Sequence, residues 1–132
     1  MKFMLMMNVP KGSGDWGTAT WRKEDFKAHI GFMHRFNAEL VAAGELVGAE
    51  GLAVPGEAKI VRAGAGGTPL VTDGPFAETK EVLAGYWIVS CDSPQRAYAL
   101  AARASAAPGP GGAPLNMPIE IREVMSAPAV EV

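Results

Sequence analysis

Two side chains suited to proton transfer stand out in the sequence, the imidazole of His29 and the carboxylate of Asp73. His29 lies in a segment where apolar residues such as Phe26, Met33 and Leu40 recur at steps of three and four, the spacing of one face of an amphipathic helix. The imidazole falls in the middle of that face, so we expect it to point inward. Two interpretations stay open: a core histidine whose ring nitrogens bond backbone or water, or a general acid or base facing a pocket.

Asp73 opens the tetrapeptide DGPF at residues 73–76. An aspartate in such a turn usually accepts a hydrogen bond from the amide two residues on, but that residue is Pro75, which has no N–H. The carboxylate is expected to stabilise the turn, to serve a site by orienting an imidazole, or to do both. Its expected partners are the amides of Phe76 and Ala77, the side chains of Thr79 and Lys80, or a ligand.

Further candidates flank these two residues. Phe76 is expected to plug into the core or into a dimer interface. The carboxylate, hydroxyl and ammonium of Glu78, Thr79 and Lys80 suit either a solvated edge or the rim of a ligand site. Glu50, in the segment GAEGL, ends a predicted strand and is a candidate acidic partner in the same site.

Composition narrows the classes of protein that fit. Twelve basic and fourteen acidic residues give a formal charge of −2 without a block of like charge, which does not suit a nucleic-acid binder. No apolar run reaches the length of a membrane span, and the start MKFMLMMNVPKGSG is too short for a signal peptide, so we expect a soluble cytoplasmic protein. His29 and His34 point in different directions on a helix and lack nearby carboxylates at ligand spacing, so we expect no metal and no cofactor.

The pattern of apolar residues predicts one domain over residues 1–125 and a loose C-terminal tail over residues 126–132. The predicted order is a strand, a long helix, a strand, a hairpin, a central strand, a second helix and a final strand. Their positions are Lys2–Val9, Arg22–Ala43, Glu45–Leu52, Lys59–Ala63 with Pro69–Thr72, the run AGYWIVSC, a helix capped by Ser93-Pro94, and a strand containing Ile119 and Ile121.

This order is the β-α-β-β-α-β plan with an inserted hairpin, which predicts an α+β, ferredoxin-like fold with two helices on one face of an antiparallel sheet. The strands are apolar enough that the other face should also be covered. A second copy of the chain is the economical cover, so we expect a homodimer.

Three segments, LVTDGPFAETKE, ELVGAEGL and PLNMPIEIREV, resemble the YCII-related family in its DGPF-domain branch, and the similarity runs over essentially the whole chain. The resemblance implies a dimeric α+β barrel with a small-molecule site between helix and sheet. It also implies a His and Asp pair as acid–base machinery, and His29 matches the family histidine near the start of the first helix. In other branches the acid lies near GAEGL, where this chain has no aspartate. DGPF members often occur beside extracytoplasmic-function sigma factors.

Three hypotheses about function follow. The first is a lyase or isomerase acting on a small cyclic or oxygenated molecule, with His29 as acid–base and Asp73 as orienter. The second is a non-catalytic ligand-binding or interaction module linked to sigma-factor or stress regulation. The third is a structural dimer whose pocket is filled by Phe and Met side chains. The residues expected to contact a ligand are Glu50, Phe76, Glu78, Thr79 and Lys80.

Overall fold

The computed structural model describes residues 1–12, 18 and 20–125. The described elements are β1 (Lys2–Pro10), α1 (Lys23–Ala42), β2 (Leu46–Gly51), β3 (Lys59–Ala63), β4 (Pro69–Asp73), β5 (Glu81–Ser90), α2 (Pro94–Ser105) and β6 (Ile119–Glu123). This is the order that the sequence predicts. The tail predicted at residues 126–132 lies outside the described residues and stays a prediction.

Four of the strands form one antiparallel sheet in the order β2-β5-β1-β6. The first strand and the strand that follows the hairpin therefore lie at the centre, which is the ferredoxin-like arrangement. β3 and β4 pair with each other as a separate two-stranded sheet. The predicted α+β fold with an inserted hairpin is confirmed.

The core lies between this sheet and the two helices. Alternate side chains of β1 and β5, among them Leu5, Trp87 and Val89, are buried against the helices. Four residues of α2 are buried in this core: Ala97, Leu100, Ala101 and Ala104. No helix in the described part of the chain is both long and apolar enough to cross a membrane.

The start of α2 and the end of α1 lie where local chemistry predicts. The Ser93 hydroxyl accepts a hydrogen bond from the amide of Arg96 at 3.3 Å, and Pro94 occupies the first turn of α2, where its missing N–H costs nothing. After α1, Gly44 adopts a φ of 69°, the left-handed conformation that glycine tolerates best. The chain can therefore turn directly into β2.

Only the C-terminal half of the apolar face of α1 packs into the core. Phe36 and Leu40 in its C-terminal half are buried, whereas Phe26 and Ile30 in its N-terminal half remain substantially exposed. The N-terminal half of the helix therefore lies over space that the core does not fill.

An ion pair at the start of β2 gives a pH-dependent contribution to stability. Arg96 donates from Nε and Nη2 to the two carboxylate oxygens of Glu45 at 2.8 and 2.7 Å. These hydrogen bonds lower the pKa of the Glu45 carboxyl below its ordinary value of 4.5, and they outweigh the opposing effect of desolvation.

We predict that Glu45→Gln is less stable than the parent protein at neutral pH. Because the pKa of Glu45 is lowered by folding, its contribution is fully present above its unfolded value and is lost as pH falls through the folded value. The deficit should therefore shrink in acid, as measured by urea unfolding from pH 7 to pH 3. Glu57→Gln, whose carboxylate forms no ion pair within the described residues, is the control. A deficit that grows in acid would contradict the prediction.

Candidate functional site

A cavity of about 780 Å³ lies under the N-terminal half of α1. Its walls come from α1, from β1, from the end of β2 and the middle of β5, and from the segment 115–118 before β6. Volumes of this size accommodate small organic molecules in other proteins. His29 is one of the described residues that line this cavity.

The cavity exists because its floor is made of small residues. Trp87 and Val89 fill the space under the helices in the C-terminal half of β5, whereas Ala84 and Gly85 lie at the middle of the strand, where Gly85 pairs with Gly51 of β2. A Cβ at Gly85 would lie 2.9 Å from the main-chain oxygen of Glu50, so a larger residue is excluded there. Because β2 and β5 approach closely at Gly85, no side chain rises from this position into the cavity.

His29 stands in the cavity wall with one ring nitrogen already engaged. Its Nδ1 lies 3.0 Å from the carbonyl oxygen of Pro108, and its ring packs edge-on against Trp21 with centroids 5.5 Å apart. A carbonyl oxygen can only accept, so Nδ1 must carry the hydrogen. In the neutral ring, Nε2 then holds the lone pair, and none of the described residues forms a hydrogen bond with it.

Glu50 also borders the cavity, although its side chain belongs to the other face of the sheet. In the β2–β5 register Ala49 pairs with the buried Trp87, and Glu50 pairs with Tyr86. Successive side chains of a strand point to opposite faces, so those of Glu50 and Tyr86 lie opposite the helices. We therefore attribute the contact of Glu50 with the cavity to its main chain.

Asp73 does not line this cavity. Its carboxylate accepts a hydrogen bond from Lys59 Nζ at 2.7 Å, and its side chain is 90% exposed. Lys59 is its direct cross-strand partner in the β3–β4 hairpin. The protein partners expected from the sequence were wrong, because hairpin register brings a lysine from fourteen residues upstream opposite the carboxylate.

The rest of the DGPF loop is held through hydrogen bonds to its own main-chain groups. The amide of Gly74 donates to the carbonyl of Ala58 at 2.8 Å, and a Cβ at Gly74 would come within 3.3 Å of Ala58. Lys11 Nζ, just beyond β1, donates to the carbonyls of Phe76 and Ala77 at 3.2 and 2.8 Å. The loop therefore ties the hairpin to the end of the main sheet.

The remaining candidates lie around this loop. Phe76 is 62% exposed, so the expectation that it plugs into the core is wrong. Together with Thr79 it borders a second cavity, of about 480 Å³, beside β3. Glu78 and Lys80 are exposed and line neither cavity. The structure thus separates the DGPF residues from His29.

Asn37 is a polar residue of the His29 cavity that the sequence reasoning did not select. Its Oδ1 accepts a hydrogen bond from Trp87 Nε1 at 2.8 Å. The available signal was an amide placed beside Phe36 on an otherwise apolar helical face, where a polar group needs a partner.

The fold and the helix-facing cavity define a ferredoxin-like α+β protein with room for a small molecule. The model of the YCII-related domain matches residues 1–111, and the chain belongs to this family. An uncharacterised protein of Rhizobium meliloti (strain 1021) is 36% identical over 76 residues, which are 58% of this chain and 60% of that protein. The chain therefore spans about 60% of the length of this relative.

We predict that NMR will find His29 as the Nδ1–H tautomer when its ring is neutral, because the Pro108 carbonyl requires a donor. Long-range 1H–15N correlation spectra should show a pyrrole-type Nδ1 and a pyridine-type Nε2. His34, which is exposed and makes no hydrogen bond within the described residues, is the internal control. A pyridine-type Nδ1 at His29 would contradict the hydrogen bond.

Proposed function

We propose that the His29 cavity binds a small organic molecule and that His29 exchanges a proton with it through Nε2, in an isomerase- or lyase-type reaction. The observation that carries this proposal is the hydrogen bond from His29 Nδ1 to Pro108 O in the wall of the cavity. That bond fixes the ring and leaves a lone pair that none of the described residues uses. A positioned imidazole is the side chain most often found as a general base.

The proposed step is proton removal from a carbon next to a carbonyl group. The Nε2 lone pair takes the proton, the C–H electron pair becomes a C=C bond, and the carbonyl electrons move to oxygen as an enolate. The imidazolium can return the proton to another carbon of the same molecule, which is isomerisation. Alternatively, the enolate re-forms its carbonyl and expels a leaving group with its electron pair, which is elimination.

Pro108 takes the orienting role in this proposal that the sequence assigned to Asp73. The Asp73 carboxylate is paired with Lys59 and does not border the cavity, which favours a structural role for it. Glu50 is held by its strand on the other face of the sheet. His29 is therefore proposed to act without Asp73 or Glu50 as its carboxylate partner.

We predict that the protein accelerates hydrogen–deuterium exchange next to the carbonyl of small uncharged enones and lactones, and that His29→Gln lowers this rate by roughly 10²- to 10⁴-fold. NMR in deuterated buffer measures the exchange. Asp73→Asn should keep the parent rate. Gly51→Leu, at a position where an added Cβ meets no atom within 4 Å, should fill the cavity and weaken binding.

The outcomes separate the candidate functions. A rate lost in Asp73→Asn but kept in His29→Gln would overturn the assignment of the base. Probes that bind without any exchange would favour the non-catalytic ligand-binding module, with regulation beside a sigma factor as its setting.

We also propose that the chain belongs to the DGPF branch of the family, which the run TDGPFAETKE at residues 72–81 supports.

We propose in addition that a second copy of the chain covers the face of the sheet opposite the helices. In the β1–β5 register Met4 pairs with Ile88 and Met6 pairs with Tyr86, while the intervening Leu5 is buried on the helix side. The four side chains on the opposite face are half-buried. Central strands that carry apolar side chains on both faces favour cover on both faces.

We predict a dimer mass in size-exclusion chromatography with light scattering at micromolar concentration. Ile88→Glu should shift the protein to monomer, because it introduces a charge at the centre of the proposed interface. Val41→Glu places the same charge on an exposed position of α1 and should leave the mass unchanged. A monomeric parent protein would overturn the proposal.

A further inference from the structure

The Asn37 amide is held in one orientation. An indole N–H can only donate, so the atom of Asn37 that lies 2.8 Å from Trp87 Nε1 must be the carbonyl oxygen of the side chain. The amide nitrogen Nδ2 is then the opposite end of the group. Nδ2 donates to none of the described residues, and no buried side-chain nitrogen or oxygen among them lacks a partner. Nδ2 is therefore a donor that remains accessible in a residue of the cavity wall.

Asn37 and His29 stand at different depths of the same cavity. They are eight residues apart on α1, which corresponds to roughly 12 Å along the helix axis and about 80° around it. Met33 lies between them and also lines the cavity. The wall therefore offers a fixed donor, an apolar middle and the His29 lone pair in succession.

The charge of the wall limits what can bind there. Neither lysine nor arginine occurs among the described residues that line the cavity, and the strand register directs the Glu50 side chain to the other face of the sheet. Burying a carboxylate or phosphate beside these residues would leave its charge unpaired, which is costly. An uncharged molecule avoids that penalty.

We infer that Asn37 is a specificity-determining residue whose Nδ2 donates to a hydrogen-bond acceptor of an uncharged, elongated ligand, at the end remote from the group that meets His29. This inference rests on the proposed function of the cavity. The ligand class is an oxygenated, largely apolar molecule that carries its acceptor, such as a ketone or lactone oxygen, near the far end of the cavity.

Three probes of equal shape test the inference: 2-acetylnaphthalene, its alkene isostere 2-isopropenylnaphthalene, and the anion 2-naphthoate. Dissociation constants come from 1H–15N NMR titrations that follow the Asn37 amide and the Trp87 indole N–H. We expect the ketone to bind roughly three- to tenfold more tightly than the alkene, the usual worth of one net hydrogen bond. The naphthoate should bind more weakly than the ketone.

Asn37→Asp is the decisive variant, because a carboxylate oxygen still accepts from Trp87 Nε1 and so preserves that contact, while the donor is lost. The preference for ketone over alkene should disappear in it. Gln95→Glu makes the same change at an exposed position of α2, away from the cavity, and should keep the preference. A preference that survives in Asn37→Asp, or is lost in Gln95→Glu, would overturn the inference.

His29→Gln separates this inference from the proposed chemistry. The variant should lose proton exchange and keep the ketone preference, because the Asn37 amide is oriented by Trp87 alone. An Asn37-dependent preference without exchange in the parent protein would support the inference and overturn the chemistry. Exchange that depends on His29 with equal binding of ketone and alkene would do the reverse.

Discussion

The close approach of β2 and β5 at Gly85 is the constraint on which the rest of the structure depends. A side chain at Gly85 would collide with the main chain of β2, so this position carries no side chain. Space is therefore left between the sheet and the N-terminal half of α1. The same strand carries Trp87 and Val89 further along, where the helices need bulk beneath them. One strand therefore closes the core in its C-terminal half and borders a cavity at its middle, and the long amphipathic helix spans both.

The position of His29 depends on the turn that follows α2. The amide of Gly111 donates to Asp25 at 3.1 Å, and the Pro108 carbonyl meets His29, so the turn contacts α1 at two residues one helical turn apart. The amide of Leu115 donates to the carbonyl of Ala107 at 2.9 Å and closes the turn on itself. A segment rich in proline and glycine thus contacts the imidazole through a main-chain carbonyl.

The features that could be predicted from the sequence are those set by neighbouring residues. Apolar periodicity located α1, and Ser93 with Pro94 located α2, because these signals act within a few residues. The cavity could not be predicted, since it requires knowing that Gly51 and Gly85 face the helix side by side. The Lys59 partner of Asp73 depends on hairpin register. The roles of Pro108 and Asn37 depend on contacts with His29 and Trp87, which are distant in sequence.

The DGPF loop and the proposed chemistry therefore belong to different parts of the molecule. The DGPF loop bonds Ala58 and Lys59 on the hairpin side and Lys11 at the end of the main sheet, whereas His29 is oriented by a carbonyl. A carbonyl fixes the tautomer as firmly as a carboxylate would, but it contributes a dipole and not a full charge. Within the described residues, the group bonded to the ring of His29 is therefore a dipole. The Nδ1–H donates to this carbonyl whether or not Nε2 carries a proton, so the ring keeps one orientation, which suits a reaction that moves a proton within one molecule.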